Sequence, residues 1–267
     1  MYLPYLGIFI VGLMVTQTAA APEGRIVNGN VAANYQFPWH VSLTITVSDA
    51  ASPRYCGASI ISSRYLLTAA SCLKNAQSVR ADMGSTLFSN PKQTQYTVHY
   101  AVHPQFNSTY NTNNIGIVRL NDEIYYSNEK RAILLVGRSK VNSTFVDTAA
   151  YISGFGVYQK EMVYMSENLR YAYTTVVTNT RCELFYPPLS VSSETLCTTG
   201  YNHSLQTGCY GDTGGALVAH IDGTWYQIGL LSSIHNGGCS GTYPNLYTKI
   251  MPYLQWINQM TGLAINP

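Results

Sequence analysis

The chemistry open to this chain is concentrated in a few side chains. Thr213 stands in CYGDTGGAL (209–217), a hydroxyl set among glycines, and Ser71 stands in LTAASC (67–72). A hydroxyl is almost fully protonated at neutral pH, so acyl transfer from it needs an imidazole to take the proton and a carboxylate to orient that imidazole. The histidines are His40, His99, His103, His203, His220 and His235. Six cysteines form no Cys-x-x-Cys pair. In an exported chain they point to disulfides rather than to metal or redox chemistry, and the sequence alone leaves 15 pairings open.

The elements that must position these residues read as strands. The chain has 267 residues, 46% of them hydrophobic, enough for a substantial core. Charged residues are 10% and the formal net charge is +2, with no Lys/Arg block, which excludes a nucleic-acid footprint. Short runs rich in Val, Ile, Thr and Tyr recur between turn residues: WHVSLTITV, GASIISSRYLLTAA, TQYTVHYAVH, NIGIVRL, TAAYISGFG, YAYTTVV, GALVAHIDGTWYQIGLLSS and NLYTKI. This pattern predicts an all-β sandwich or barrel. Asp222-Gly223 between two such runs predicts a tight hairpin. In MPYLQWINQMTG the apolar residues Leu254, Ile257 and Met260 fall three apart, between Pro252 and Gly262, which predicts a C-terminal helix over about 252–261.

Residues 1–21 read as an export signal: an apolar run from Leu6 to Val15, too short to span a bilayer, precedes Thr18-Ala-Ala-Ala21. Export makes Asn107-Ser-Thr, Asn142-Ser-Thr and Asn202-His-Ser acceptors for glycosylation.

Four phrases in order carry a family resemblance: RIVNG (25–29), LTAASC (67–72), NNIGIVRL (113–120) and CYGDTGGAL (209–217), joined by FPWHVSL and HPQF. Over everything after residue 25 the chain resembles the chymotrypsin-like (trypsin family) serine proteases. The resemblance implies two six-stranded antiparallel β-barrels, at about 26–135 and 136–250, with the site in the cleft between them and a C-terminal helix. It implies a short propeptide, 22–25, and the disulfides Cys56–Cys72, Cys182–Cys197 and Cys209–Cys239. The short propeptide, IVNG and three disulfides resemble an arthropod secreted protease more than a vertebrate clotting factor.

Carried over position by position, the family's histidine falls on Ser71, its aspartate on Asn114 and its nucleophile on Thr213. Serine accepts no proton at useful pH, an amide offers no charge to an imidazolium, and threonine's methyl restricts rotation. Loss of such residues costs on the order of 10⁶ in turnover. By the same carry-over the oxyanion-hole N–H groups belong to Gly211 and Thr213. The specificity pocket holds Thr207, Ser232-Ser233-Ile234 and Asn245, where bulkier side chains replace two glycines and Ile234 projects into or caps the space. Arg25-Ile26 is the activation bond, and Asp212 is the carboxylate that pairs with the freed Ile26 ammonium. His103 matches a structural position. His235 follows the strand lining the cleft and is the one candidate for a relocated base, though a surface-loop histidine is the expected outcome.

The expectation is therefore a secreted protein that is not an enzyme, a serine protease homologue acting by protein binding or as a regulator or decoy. The alternative is an unorthodox serine-type endopeptidase using Thr213 with a relocated base. The expected partners are an extracellular protein and an active trypsin-like protease that cuts after Arg25. Neither nucleic acid nor a membrane span is expected, and the chain reads as a monomer. No cofactor is expected, and no metal: Lys74–Asn90, where the family sometimes binds calcium, holds Asp82 as its one acid. The 22 tyrosines favour a contact surface slightly.

Overall fold

The computed structural model describes residues 28–48, 50–137, 143–157 and 165–265. The expected export signal and propeptide, the Arg25-Ile26 pair and the sequon at Asn142 lie outside those residues. In chain order the strands are β1 (Asn30–Val31), β2 (His40–Val47), β3 (Arg54–Ile60), β4 (Tyr65–Thr68), β5 (Ala76–Met83), β6 (Gln93–Thr97), β7 (Tyr100–Val102) and β8 (Gly116–Arg119). They continue with β9 (Leu134–Leu135), β10 (Ala149–Gly154), β11 (Arg170–Val177), β12 (Thr195–Gly200), β13 (Ala216–Ile221), β14 (Thr224–Ser233) and β15 (Asn245–Lys249). The α-helices are α1 (Ala70–Leu73), α2 (Asn179–Glu183) and α3 (Leu254–Thr261).

Strand pairing closes the chain into two barrels. The first sheet runs β6-β5-β2-β3-β4-β8-β7. Only Val98 and His99 separate β6 from β7, so one bent strand holds β5 on one half and β8 on the other, which closes six strands into a ring. In the second sheet β11-β10-β13-β14-β15-β12 returns to β11 through the β11–β12 pairing, again a ring of six. The two-residue strands add to this ring from outside: β1 pairs with β11 and β9 lies parallel to β14. Closure leaves no long free edge. The implied barrels and C-terminal helix are therefore present, although Asn30–Val31 joins the second barrel rather than the first.

Alternation places the cores. In β11 Arg170, Ala172, Thr174 and Val176 are buried while Tyr171, Tyr173, Thr175 and Val177 are half-exposed, the two-residue period of a strand with one face inward. Val41, Leu43 and Ile45 of β2 and Val79 and Ala81 of β5 are fully buried in the first barrel. The Asp222-Gly223 turn between β13 and β14 has both residues at positive φ, 49° and 80°, the conformation of the favoured two-residue hairpin. In α3 Leu254 and Ile257 are buried but Met260 is exposed. At 3.6 residues per turn, six residues carry Met260 about 120° away from Leu254.

Three disulfides, Cys56–Cys72, Cys182–Cys197 and Cys209–Cys239, have the pairing the resemblance implied. Among the described residues no helix is long and apolar enough to cross a membrane.

Candidate functional site

Ser71 is held by its backbone. β4 runs into the single turn of α1, which Cys72 ties to β3 through Cys56. Arg54 Nη1 donates to the carbonyls of Ser71 (3.0 Å), Cys72 (2.7 Å) and Lys74 (3.0 Å), groups a helix end would leave unpaired. The Ser71 N–H donates to Asn114 Oδ1 at 2.8 Å.

Asn114, fully buried, uses both ends of its amide. Its Nδ2 donates to Ser232 Oγ at 2.9 Å and approaches Ser232 O at 3.4 Å, while its own carbonyl accepts from Thr248 Oγ1 at 3.0 Å. Ser232 reaches Asn114 because β14 carries an extra residue between the pairs Leu231–Tyr247 and Ser233–Leu246, and such a bulge re-aims a side chain. The positions of the family's histidine and aspartate are thus joined to each other and to the second barrel by neutral hydrogen bonds.

Thr213 sits on the loop that follows the Cys209–Cys239 disulfide. Its carbonyl accepts from Gly57 N–H at 2.8 Å, and Gly214 N–H donates to Leu231 O at 2.8 Å, pinning the loop to both barrels. Gly214 has φ +85°, and a side chain there would meet Thr68 Oγ1 and Gly57 O. The Thr213 hydroxyl and the N–H groups of Gly211 and Thr213 make no hydrogen bond among the described residues. Gly211 and Thr213 line an open groove. On one side of Thr213 a cavity of about 430 Å³ is lined by Ser71, Tyr55, Met165, Tyr210 and Gly211; on the other, one of about 390 Å³ is lined by Ser71, Tyr110, Phe185, Tyr186, Tyr210 and His235.

His235 belongs to this cleft wall. Its ring stacks on Tyr243 at 4.0 Å between centroids and meets Phe185 and Tyr186 edge-on, and its Nδ1 accepts from Gly237 N–H at 2.9 Å. His235 thus stands in a half-exposed loop, as expected, and that loop forms part of the cleft wall. The other histidines line neither of these cavities. His40 is buried beside Phe155, with Nδ1 3.3 Å from Ser153 Oγ, and burial pushes its pKa down to about 4. His103 packs against Tyr253 and Trp256.

The specificity-pocket positions converge. Asn245 and Thr207 are buried, and Asn245 Nδ2 donates to Thr207 Oγ1 at 2.7 Å and to Gly208 O at 3.1 Å, so the amide occupies the space a glycine would leave. Tyr186 closes the flank by donating to Pro244 O at 2.8 Å and Ser233 O at 3.2 Å. Ser233 Oγ accepts from Asn111 Nδ2 at 3.1 Å, and Ile234 lines the groove while packing on the core.

Asp212 is fully buried, with Gly156 N–H donating to Oδ1 at 2.7 Å and Cys209 N–H to Oδ2 at 2.8 Å. A side chain at Gly154 or Gly156 would collide with it. Burial pushes its pKa up to about 6, against the pull of those two N–H groups. Among the described residues no group of three or more His, Cys, Asp or Glu could hold a metal ion; Asp82 instead pairs with Arg80 at 2.9 Å. Asn107 and Asn202 are exposed. Sequence reasoning missed Arg54 and Met165, which carry no motif and reach Ser71 and Gly211 only through the fold, and it gave no role to Tyr210 although that residue stands inside CYGDTGGAL.

Comparison with known proteins agrees with this architecture. The trypsin family model matches residues 26–257. The collagenase of Hypoderma lineatum is 29% identical in an alignment of 266 residues that covers 97% of this chain and 98% of that protein. A solved structure of HL collagenase superposes with a TM-score of 0.81 at 28% identity, covering 89% of this chain and 99% of that one. The expectation that the chain is not an enzyme is overturned by this comparison, because the relative it matches almost end to end is named as an enzyme. The expectation rested on the changed residues at 71, 114 and 213, yet Thr213 keeps an unbonded hydroxyl in an open groove whose wall carries the imidazole of His235. The chain belongs to the trypsin family.

Proposed function

We propose that the protein is secreted and holds an extended segment of an extracellular protein in the groove between its barrels. The observation that carries this reading is the continuity of the groove across Thr213. Ser71, Tyr210 and Thr213 line the cavities on both sides, while the side pocket beneath is filled by Asn245. Such a groove recognises the backbone and flat side chains of its occupant rather than one deeply inserted anchor. The rings of Tyr55, Tyr110, Phe185, Tyr186 and Tyr210 supply rigid contact area. The unbonded N–H groups of Gly211 and Thr213 supply two donors for a carbonyl. The test is binding of an immobilised random peptide library and of gelatin, a probe chosen because the relative is a collagenase. Saturable binding that weakens at least tenfold in Tyr210→Ala/Phe185→Ala supports the reading; binding absent, or indifferent to both changes, defeats it.

Hydrolysis of the bound segment is a second reading, favoured by the collagenase relative and by His235 in the same groove as Thr213. A fluorophosphonate adduct on Thr213, read by intact mass together with turnover of the peptide library, supports it. No adduct from folded protein cut after Arg25 counts against it. The proposal includes that cut, made by a trypsin-like protease, after which the Ile26 ammonium pairs with the buried Asp212. Equal binding by Arg25→Gln and by the cut protein would remove the switch from the proposal. The source we infer is an arthropod, in keeping with the insect origin of the collagenase.

A further inference from the structure

The outer face of the second barrel is unusually aromatic. Tyr201 lies 4.2 Å from Tyr173 between ring centroids, Tyr173 lies 4.5 Å from Tyr151, and Tyr151 lies 5.3 Å from Trp225. All four rings are half-exposed. β10, β11, β13 and β14 together carry one charged residue, Arg170, and it is buried. A bare aromatic sheet face without charges to keep it solvated is an adhesive surface, and ordinary soluble chains interrupt such faces with Lys or Glu.

One end of the strip abuts a modification signal. Asn202 follows Tyr201 directly in Asn202-His-Ser204, is exposed, and sits at φ 47°, ψ 46°, so it stands on a tight turn at the surface. Its side chain makes no hydrogen bond among the described residues, so Nδ2 is free for substitution. Asparagine tolerates this left-handed conformation better than most residues. The apolar C–H face of a pyranose packs on an aromatic ring while its hydroxyls stay in water, which suits a strip that is uncharged and half-exposed.

We propose that Asn202 carries an N-linked glycan whose first sugars lie on the strip formed by Tyr201, Tyr173, Tyr151 and Trp225. The sugar shields the rings from a second copy of the chain and stiffens the turn that follows β12. This rests on the reading that the protein is secreted, since only an exported chain meets the glycosylation machinery.

The test expresses the full chain with its own residues 1–25 in cultured insect cells. A Thr109→Ala/Thr144→Ala background leaves Asn202 as the single sequon. Peptide mass mapping reads occupancy. Thermal unfolding is then followed before and after an N-glycosidase, which leaves Asp at position 202 without altering the backbone. The expected result is a filled Asn202 and a Tm lower by about 2–4 °C once the glycan is removed. In Tyr173→Thr that drop shrinks to near zero, because the sugar has lost its ring. A secreted protein with Asn202 bare overturns the proposal. So does an equal drop with and without Tyr173, which would mean that the glycan acts on the turn alone. If the parent chain is secreted with sugar at Asn107 but none at Asn202, only this inference fails. If it is not exported and no sequon is filled, the secretion reading falls with it.

Discussion

Replacing Asn114 by aspartate is the most demanding perturbation of the site. Asn114 is fully buried; its Oδ1 accepts from Ser71 N–H and its Nδ2 donates to Ser232. In Asn114→Asp the Ser71 N–H still has an acceptor, and the Ser232 hydroxyl can turn round to donate. The second carboxylate oxygen, however, now faces the Ser232 carbonyl, which the amide approaches at 3.4 Å. Residue 71 offers no cation. A buried charge left without a partner costs about 3–5 kcal/mol. The introduced carboxyl therefore titrates above its ordinary range. A carboxyl whose folded pKa is raised lowers stability only where the unfolded chain ionises it, so the loss is absent below about pH 4 and grows as pH rises towards its folded pKa, at about 1.4 kcal/mol per unit.

Urea denaturation with disulfides intact reads the effect. At an m-value of about 3 kcal/mol/M the midpoint at pH 7.5 falls by about 1 M or more, and at pH 4 it lies near that of the parent. Adding Ser71→His supplies an imidazolium to the carboxylate and recovers most of the loss. Equal midpoints for Asn114→Asp and the parent from pH 4 to 8 would refute the reasoning, since the amide would then stand in water and not in a dry junction. Failure of Ser71→His to recover any stability would refute the placement of residue 71 beside residue 114.

Asn245→Gly removes the bonds to Thr207 and Gly208 and adds backbone freedom; it should cost about 2–3 kcal/mol in denaturation and create a site for a small neutral ring, detectable as phenol binding absent from the parent. Gly214→Ala puts a side chain against Gly57 O and Thr68 at φ +85°, and a loss of about 3 kcal/mol or more is expected in the same assay. His40 and Asp212 oppose each other with pH. His40, its folded pKa lowered to about 4, contributes stability above about pH 6.5 that is lost as pH falls through 4. Asp212, raised to about 6, contributes stability at low pH that is lost as pH rises through 6. Tm should thus be nearly flat between pH 4 and 6. In His40→Gln left uncut after Arg25 it should rise as pH falls from 6 to 4; a flat profile there would show that Asp212 is hydrated.

The sequence made some parts of this structure legible because their causes are local. Asp222-Gly223 fixes its hairpin by backbone conformation alone, and YAYTTVV shows its alternation directly. TQYTVHYAVH reads as one strand, yet the barrel bends it at Val98-His99 so that each half meets a different neighbour, a demand of closure that no local pattern carries. AQSVRADM (76–83) and TLCTTG (195–200) lack a strong strand composition, and they are strands because each is paired along both edges. At the site, motif position located Ser71, Asn114 and Thr213. What ties Asn114 to the second barrel was hidden, since it depends on the bulge that aims Ser232, and so was the Asn245–Thr207 bond across 38 residues.

The substitutions at the first two of these positions make physical sense together. An amide carries a donor and an acceptor, so Asn114 bridges Ser71 N–H and Ser232 Oγ without charge, where a carboxylate would need a cation beside it. Once position 71 lacks an imidazole, an amide at 114 is the group that leaves no buried charge uncompensated. Groove shape and proton transfer are thereby separable: backbone bonds, a disulfide and neutral side-chain bonds hold the walls whether or not chemistry takes place between them. A single reversion towards the family's charged residues should therefore weaken the protein before it could help catalysis. Any base that serves Thr213 has to approach from the open groove where His235 and Tyr210 stand, because the side towards residue 71 offers only a hydroxyl, which accepts no proton at useful pH.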